Sequence, residues 1–269
     1  MMFYITSILL FLLSFWSCEA LQCTTNCSYS YNSSTSFIYP ETCNQIVSAG
    51  KCKANLAFQF DIQDYFFSLT SSSTSTVFAS NNQRRGLLQI DGESRKVWFS
   101  HYVDIECNDK DDCARDLAIK ISNELSQRKY DFSKLVNQLE QYMIGPMQIR
   151  RLNCYDSNEK EQLCAELPTR GSCVLENQIK SNKITRSCRI SSGKPEISIR
   201  MHQDSTTATF ELVCHRDLCN TKGTLNAVKE ILLRNNITQT PDGRLTGSTF
   251  QISFFLLLSM IFITFCHQL

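Results

Sequence analysis

The sequence predicts a mainly β fold with added helices: two small disulfide-stapled antiparallel β modules, with a helical hairpin after the first. Three observations carry this. Fourteen cysteines stand among 269 residues, a usage that marks an oxidising compartment or a metal-binding chain. Apolar and polar residues alternate with period two beside those cysteines. One cysteine-free stretch, 114–153, switches to helical spacing.

The two ends favour the oxidising compartment. Residues 2–16, MFYITSILLFLLSFW, form an apolar run of signal-peptide length, and Cys18-Glu19-Ala20 sets small residues before a cleavage point after Ala20. An uncleaved anchor is the alternative for 1–20. At the other end Ile252 to Cys266 is apolar for about 15 residues, short of the roughly 20 a span needs, and only His267, Gln268 and Leu269 follow. A polar spacer before a terminal apolar tail matches a glycolipid (GPI) attachment signal over 252–269. Asn236, Asp242, Gly247 and Ser248 are small enough to be the attachment residue, and a short membrane helix is the rival reading. Removing both ends discards Cys18 and Cys266 and leaves an even twelve, as full pairing requires. Sequons at Asn26, Asn32 and Asn236 agree with passage through the secretory pathway.

Several classes drop out on composition. A net charge of +1 argues against a nucleic-acid partner. There is no Cys-x-x-Cys pair and the four histidines are scattered, so no zinc module, metal or cofactor is expected. No Gly-x-Ser-x-Gly, His-Glu-x-x-His or phosphate loop occurs, and an oxidised cysteine set leaves no thiolate nucleophile. No catalytic residue is assigned. The rival to a binding protein is a secreted or surface hydrolase using His101, His202 or His215; a passive surface coat is the third reading.

The twelve cysteines divide into Cys23, Cys27, Cys43, Cys52, Cys107, Cys113 and Cys154, Cys164, Cys173, Cys188, Cys214, Cys219. Cys43/Cys52 and Cys164/Cys173 are each nine apart, with Gly50 and Gly171 two places before the second member. Each set closes with a tight pair, Cys107/Cys113 and Cys214/Cys219, followed by a helical pattern. These matches indicate a diverged internal repeat, in which Cys27 and Cys188 lack counterparts. The expected layout is a first cysteine-rich module over 21–113, a helical hairpin and linker over 114–147, a second module over 148–222, and a short helix with polar spacer over 223–251.

Alternation predicts strands at 58–62, 97–105, 197–201 and 209–213. Leu117, Ile121 and Leu125 sit four apart, and Phe132, Leu135, Val136, Leu139 and Tyr142 follow a helical stripe that Asp131 caps. This pair should pack on the first sheet or the module junction. A further helix is expected at about 224–234. The tract Leu69–Thr76 and Asn81-Asn82-Gln83 read as exposed loops.

At Cys214-His-Arg-Asp-Leu-Cys219-Asn220, and at the opening Leu152-Asn-Cys154-Tyr155, the second half resembles the urokinase-receptor/lymphocyte-antigen superfamily of three-finger, snake-toxin-like domains. The resemblance implies Cys214–Cys219, Cys154–Cys173 and Cys164–Cys188 bridges, with Asn220 pinning the module's end. It implies a non-catalytic receptor, co-receptor, adhesion molecule or modulator, whose partner is an extracellular or membrane protein or a glycan; the tail signal is what places the protein on the outer leaflet of the plasma membrane. The first half echoes the pattern at Leu21-Gln-Cys23 and Cys107-x5-Cys113, but Ala114 stands where the asparagine should.

Two charge clusters are candidates for binding. Asp104, Glu106, Asp109, Asp111, Asp112 and Asp116 form an acidic run that does not match the spaced calcium loop. Lys180, Lys183, Arg186, Arg189, Lys194 and Arg200 form a basic stretch that alternation could gather on one sheet face, with a plain solvated face as the alternative. Trp98, Phe99 and Tyr102, and Tyr65, Phe66 and Phe67, are either core or binding anchors.

Overall fold

The computed structural model describes residues 20–32, 37–73, 81–146, 149–191 and 193–246. The expected signal peptide up to residue 19 and the 252–269 tail lie outside the described residues, as do Gly247 and Ser248. Among the described residues thirteen strands run as β1 Leu21–Thr24, β2 Cys27–Asn32, β3 Ile46–Ala49, β4 Lys51–Gln59, β5 Asp64–Ser72, β6 Asn81–Ile90, β7 Val97–Cys107, β8 Arg151–Tyr155, β9 Glu161–Glu166, β10 Arg170–Gln178, β11 Lys183–Ser191, β12 Ser198–Gln203 and β13 Ala208–Cys214. Three helices join them: α1 Cys113–Ser126, α2 Phe132–Met143 and α3 Lys222–Arg234. The fold is mainly β with added helices.

The two halves form a single nine-stranded antiparallel sheet, in the order β11-β10-β13-β12-β6-β7-β4-β5-β2. The junction is the β6–β12 ladder, running from Arg84 opposite Gln203 to Gln89 opposite Ser198. Two small sheets, β1-β3 and β8-β9, accompany it. Joining two edges this way pairs N–H and C=O groups that would otherwise be exposed templates for aggregation.

Alternation assigns the faces. Phe58, Phe67, Phe99, Val103, Ile105, Leu88, Ile199, Phe210, Leu212 and Leu175 are all essentially buried on one face. The helices cover that face: α1 packs on β4 and β7, and α3 on α2. The other face carries Trp98, Tyr102, Asp104, Glu106, Lys53, Arg85, Arg200 and Glu211, partly open to water. One wet face and one dry face is the usual state of an antiparallel sheet. Asp131 caps α2 as expected, accepting the Lys134 N–H at 2.9 Å.

Two expected loops are strand over much of their described length, while Thr74 to Thr76 of the first lie outside the described residues. Leu69 to Ser72 closes β5 and Asn81 to Gln83 opens β6. Serine and asparagine have low strand preference, but both segments lie beside a longer strand that supplies ladder partners, Lys51–Ala54 for the first and Asp104–Glu106 for the second. Pairing overrides local propensity here.

Candidate binding surface

All twelve cysteines in the described residues are paired. The bonds are Cys23–Cys52, Cys27–Cys43, Cys107–Cys113, Cys154–Cys173, Cys164–Cys188 and Cys214–Cys219. The last three are the pairing that the resemblance implies for the second half.

Asn220 is fully buried. Its Oδ1 accepts the Tyr155 N–H at 2.9 Å, and its Nδ2 donates to the Tyr155 and Val174 carbonyls at 2.8 and 3.2 Å. One side chain thus ties β8 to β10. Asp217 and Leu218 complete the closing loop: Asp217 accepts the Asn153 N–H at 2.8 Å, and the Leu218 N–H donates back to the Asn153 carbonyl at 2.8 Å. The first half repeats this with other residues. Asp111 accepts the Gln22 N–H at 2.8 Å, and the Asp112 N–H donates to the Gln22 carbonyl at 2.9 Å. Asp112 and Leu218 both hold a left-handed backbone, φ 48° and 53°. With Ala114 unable to act as Asn220 does, the Asp112 carboxylate accepts the Thr24 N–H at 2.6 Å. Sequence reasoning missed Asp111, Asp112 and Asp217 in this role. The signal was present: an aspartate stands two places before the closing cysteine in both halves.

The acidic run is therefore occupied internally. Beyond Asp111 and Asp112, Asp104 pairs with Arg85 at 2.7 Å, Glu106 with Lys53 at 2.8 Å, and Asp116 with Lys110 at 3.3 Å. Asp109 lies close to the sulfurs of Cys107 and Cys113. Those sulfurs are joined in a disulfide, which removes the thiolates a metal would need.

The basic stretch is divided between the two faces: Lys183, Arg189 and Arg200 lie on the open face of the sheet and Arg186 on the other. Arg186 points to the helix-covered side and is buried: its Nε donates to the Asn220 carbonyl at 3.0 Å and its Nη2 pairs with Glu159 at 2.8 Å. Arg189 and Arg200 share Glu196 and Glu211, with contacts of 2.7–3.4 Å. Lys194 is taken by Asp91 and Glu93. Lys180 donates to the Ser205 carbonyl at 2.8 Å, bridging two turns, and Lys183 is exposed.

Period two also divides each aromatic cluster. Phe99, Tyr65 and Phe67 enter the core; Trp98 and Phe66 lie over a third exposed on the open face. Tyr102 stands beside Arg85, whose guanidinium carbon is 5.7 Å from the ring centre.

The histidines occupy separate environments. His101 is buried in the core, and burial, with the nearby Arg84 and Arg128 charges, pushes its pKa down to about 3. His202 lies on the open face at 3.1 Å from Asp204. His215 is buried, lowered by burial, and contacts the Gly171 carbonyl through Nδ1 at 2.8 Å.

What the fold leaves available is an end of the sheet. At the end where β13 finishes at Cys214 lie the β4–β5 turn and the β6–β7 turn of the first half, because the two halves run antiparallel across the β6–β12 ladder. Ile62 on the first turn is 60% exposed, and Trp98 follows the second. A cleft of 570 Å³ opens there between Arg95, Gly145, Pro146 and Arg216. A smaller one of 170 Å³ has Asp91, Trp98 and Glu196 on its walls. Ile190 and Leu167 are exposed beside the second half's bridges at the same end. Mixed apolar and charged side chains on turns between paired strands are the composition of a protein-binding surface.

The sequon asparagines Asn26, Asn32 and Asn236 are all exposed. Among the described residues no helix is long and apolar enough to cross a membrane. No family model matches the chain, and no curated protein matches it. The class the fold defines is a mainly β, disulfide-rich protein built from two sheet-forming halves.

Proposed function

We propose that this protein is an extracellular binding protein, a receptor, co-receptor or modulator, tethered to the outer leaflet by a glycolipid and without catalytic activity. Its halves are read as three-finger-like modules. The observation that carries the reading is the mixed apolar and charged sheet end, where the Ile62 and Arg95 turns and the Trp98 cleft lie at the end stapled by the second half's bridges. Short turns between long paired strands lose little conformational entropy on binding, so modest contacts suffice for affinity. The separation of the histidines supports the non-catalytic half of the reading: His101 is buried, His202 faces the open side and His215 packs against a backbone carbonyl.

The test is binding of the soluble ectodomain, residues 21–248, to intact cells. Saturable binding that Ile62→Asp with Trp98→Ala reduces at least tenfold supports the reading. Saturable binding untouched by those changes moves the surface elsewhere. Hydrolytic activity lost on His202→Ala sinks the non-catalytic reading.

A further inference from the structure

The four residues small enough to carry the glycolipid are not equivalent once the chain is folded. Attachment replaces everything C-terminal of the modified residue. Modification at Asn236 would discard 237–246, and modification at Asp242 would discard 243–246. Those residues are part of the core. Ile237, Thr238 and Leu245 are each 1% exposed. Leu245 lies against the sheet at Gly86, where a Cβ would come within 3.2 Å of the Leu245 Cδ2 and 2.8 Å of the Met201 Cε. Gly243, at φ 92°, lies so close to Phe210 that a Cβ would sit 2.7 Å from the ring. Backbone bonds close the segment, Gln239 N–H to the Arg244 carbonyl at 2.9 Å and Gly243 N–H to the Thr240 carbonyl at 3.0 Å. Asp242 itself pairs with Arg244 at 3.0 Å. The last anchored point is Thr246, whose hydroxyl accepts from Gln203 Nε2 at 3.1 Å at the end of β12.

Resting on the tethered reading above, we infer that the glycolipid is carried at Gly247 or Ser248, immediately after Thr246, and not at Asn236 or Asp242. Loss of the buried Leu245 alone would leave a cavity against the sheet, so only a cut beyond Thr246 preserves the fold. The inference also orients the molecule. Thr246 sits at the sheet end where β7 finishes at Cys107, so the tether leaves beside the β10–β11 and β12–β13 turns. The first half's turns with Ile62 and Arg95 are at the opposite end, facing away from the bilayer.

The experiment is expression of the full chain in a eukaryotic cell, phospholipase C release, trypsin digestion and mass spectrometry. The expected product is a peptide beginning at Leu245 and ending at Gly247 or Ser248 with the glycolipid remnant attached. A remnant on a peptide ending at Asn236 or Asp242 overturns the assignment while leaving the tethered reading intact. An unmodified peptide running beyond Ser248 overturns the tethered reading itself. As an independent readout, Gly247→Trp with Ser248→Trp lowers phospholipase-releasable surface protein at least tenfold, whereas Asn236→Gln leaves it within twofold; the reverse order overturns the assignment.

Discussion

The two halves of the sheet are built in the same register and fastened with different chemistry. Cys52 faces Cys107 across β4 and β7, and Cys173 faces Cys214 across β10 and β13. Carrying this alignment along the ladders brings Arg85 directly opposite its own counterpart, His202, so the junction lies on a local two-fold axis. The same alignment puts Ser71, which faces Cys52, in the place of Cys188, which faces Cys173. The first half therefore lacks that cysteine, and Cys43 bonds instead to Cys27 on the additional edge strand β2. Likewise Asp112 takes over the N–H that Asn220 holds in the second half. What persists is the ladder and the satisfied N–H; the group that satisfies it has changed. An unpaired buried backbone donor costs more than any one choice of acceptor gains.

The largest break in this correspondence is Asn220→Ala. It strips three buried hydrogen bonds, and we expect a loss of about 3–5 kcal/mol in denaturant unfolding. Asp112→Ala, which removes one such bond and the Arg115 pair, should cost about 2 kcal/mol, while Asp112→Asn keeps the acceptor and tolerates the left-handed backbone at close to no cost. Equal losses for the two alanine variants would contradict the unequal loads drawn here.

The cysteine exchange is tested by rebuilding it. Cys27→Ser with Ser71→Cys should join Cys43 to the new sulfur at position 71, a bridge of the second-half kind, visible as a linked peptide pair. Removing Cys164–Cys188 by paired serines should cost roughly 3 kcal/mol from the 24-residue separation it closes.

His101 gives a pH-dependent effect. Its folded pKa, about 3, lies below the unfolded value near 6.5, so the unfolded chain binds the extra proton. The stability tied to the neutral ring is complete above about pH 6.5 and is lost as pH falls toward 3, with a slope of roughly 1.4 kcal/mol per pH unit between. His101→Leu should flatten unfolding curves by that slope from pH 6 to 4; an unchanged slope would mean another group titrates. Smallest is Arg200→Ala, expected under about 1 kcal/mol because the pair is solvated and Arg189 still serves Glu196 and Glu211.

Much of the architecture is legible in the residues. The alternation at 97–105 is β7, the stripe from Phe132 to Tyr142 is α2, and the second members of the nine-residue cysteine spacings, Cys52 and Cys173, hold matched positions in the sheet. The joined sheet is not legible, because nothing in Arg84–Gln89 or Ser198–Gln203 announces that these two edges will meet. Their paired residues stand 109 (Ser198 less Gln89) to 119 (Gln203 less Arg84) positions apart. Asp112 reads in sequence as part of a solvated or metal-binding run because its partner, Thr24, is 88 residues away. The basic stretch misleads for the reason that a strand sends successive residues to opposite faces: Arg186 and Arg189 differ by an odd step and part company.

The β6–β12 ladder has a mechanical meaning. A tether leaving at Thr246 and a partner held at the Ile62 turn would pull on opposite ends of strands that lie along the line of force. The six residue pairs of the junction are then loaded together, in shear, instead of opening one after another like a zip. The seam that joins the halves is then placed to bear tension along its whole length.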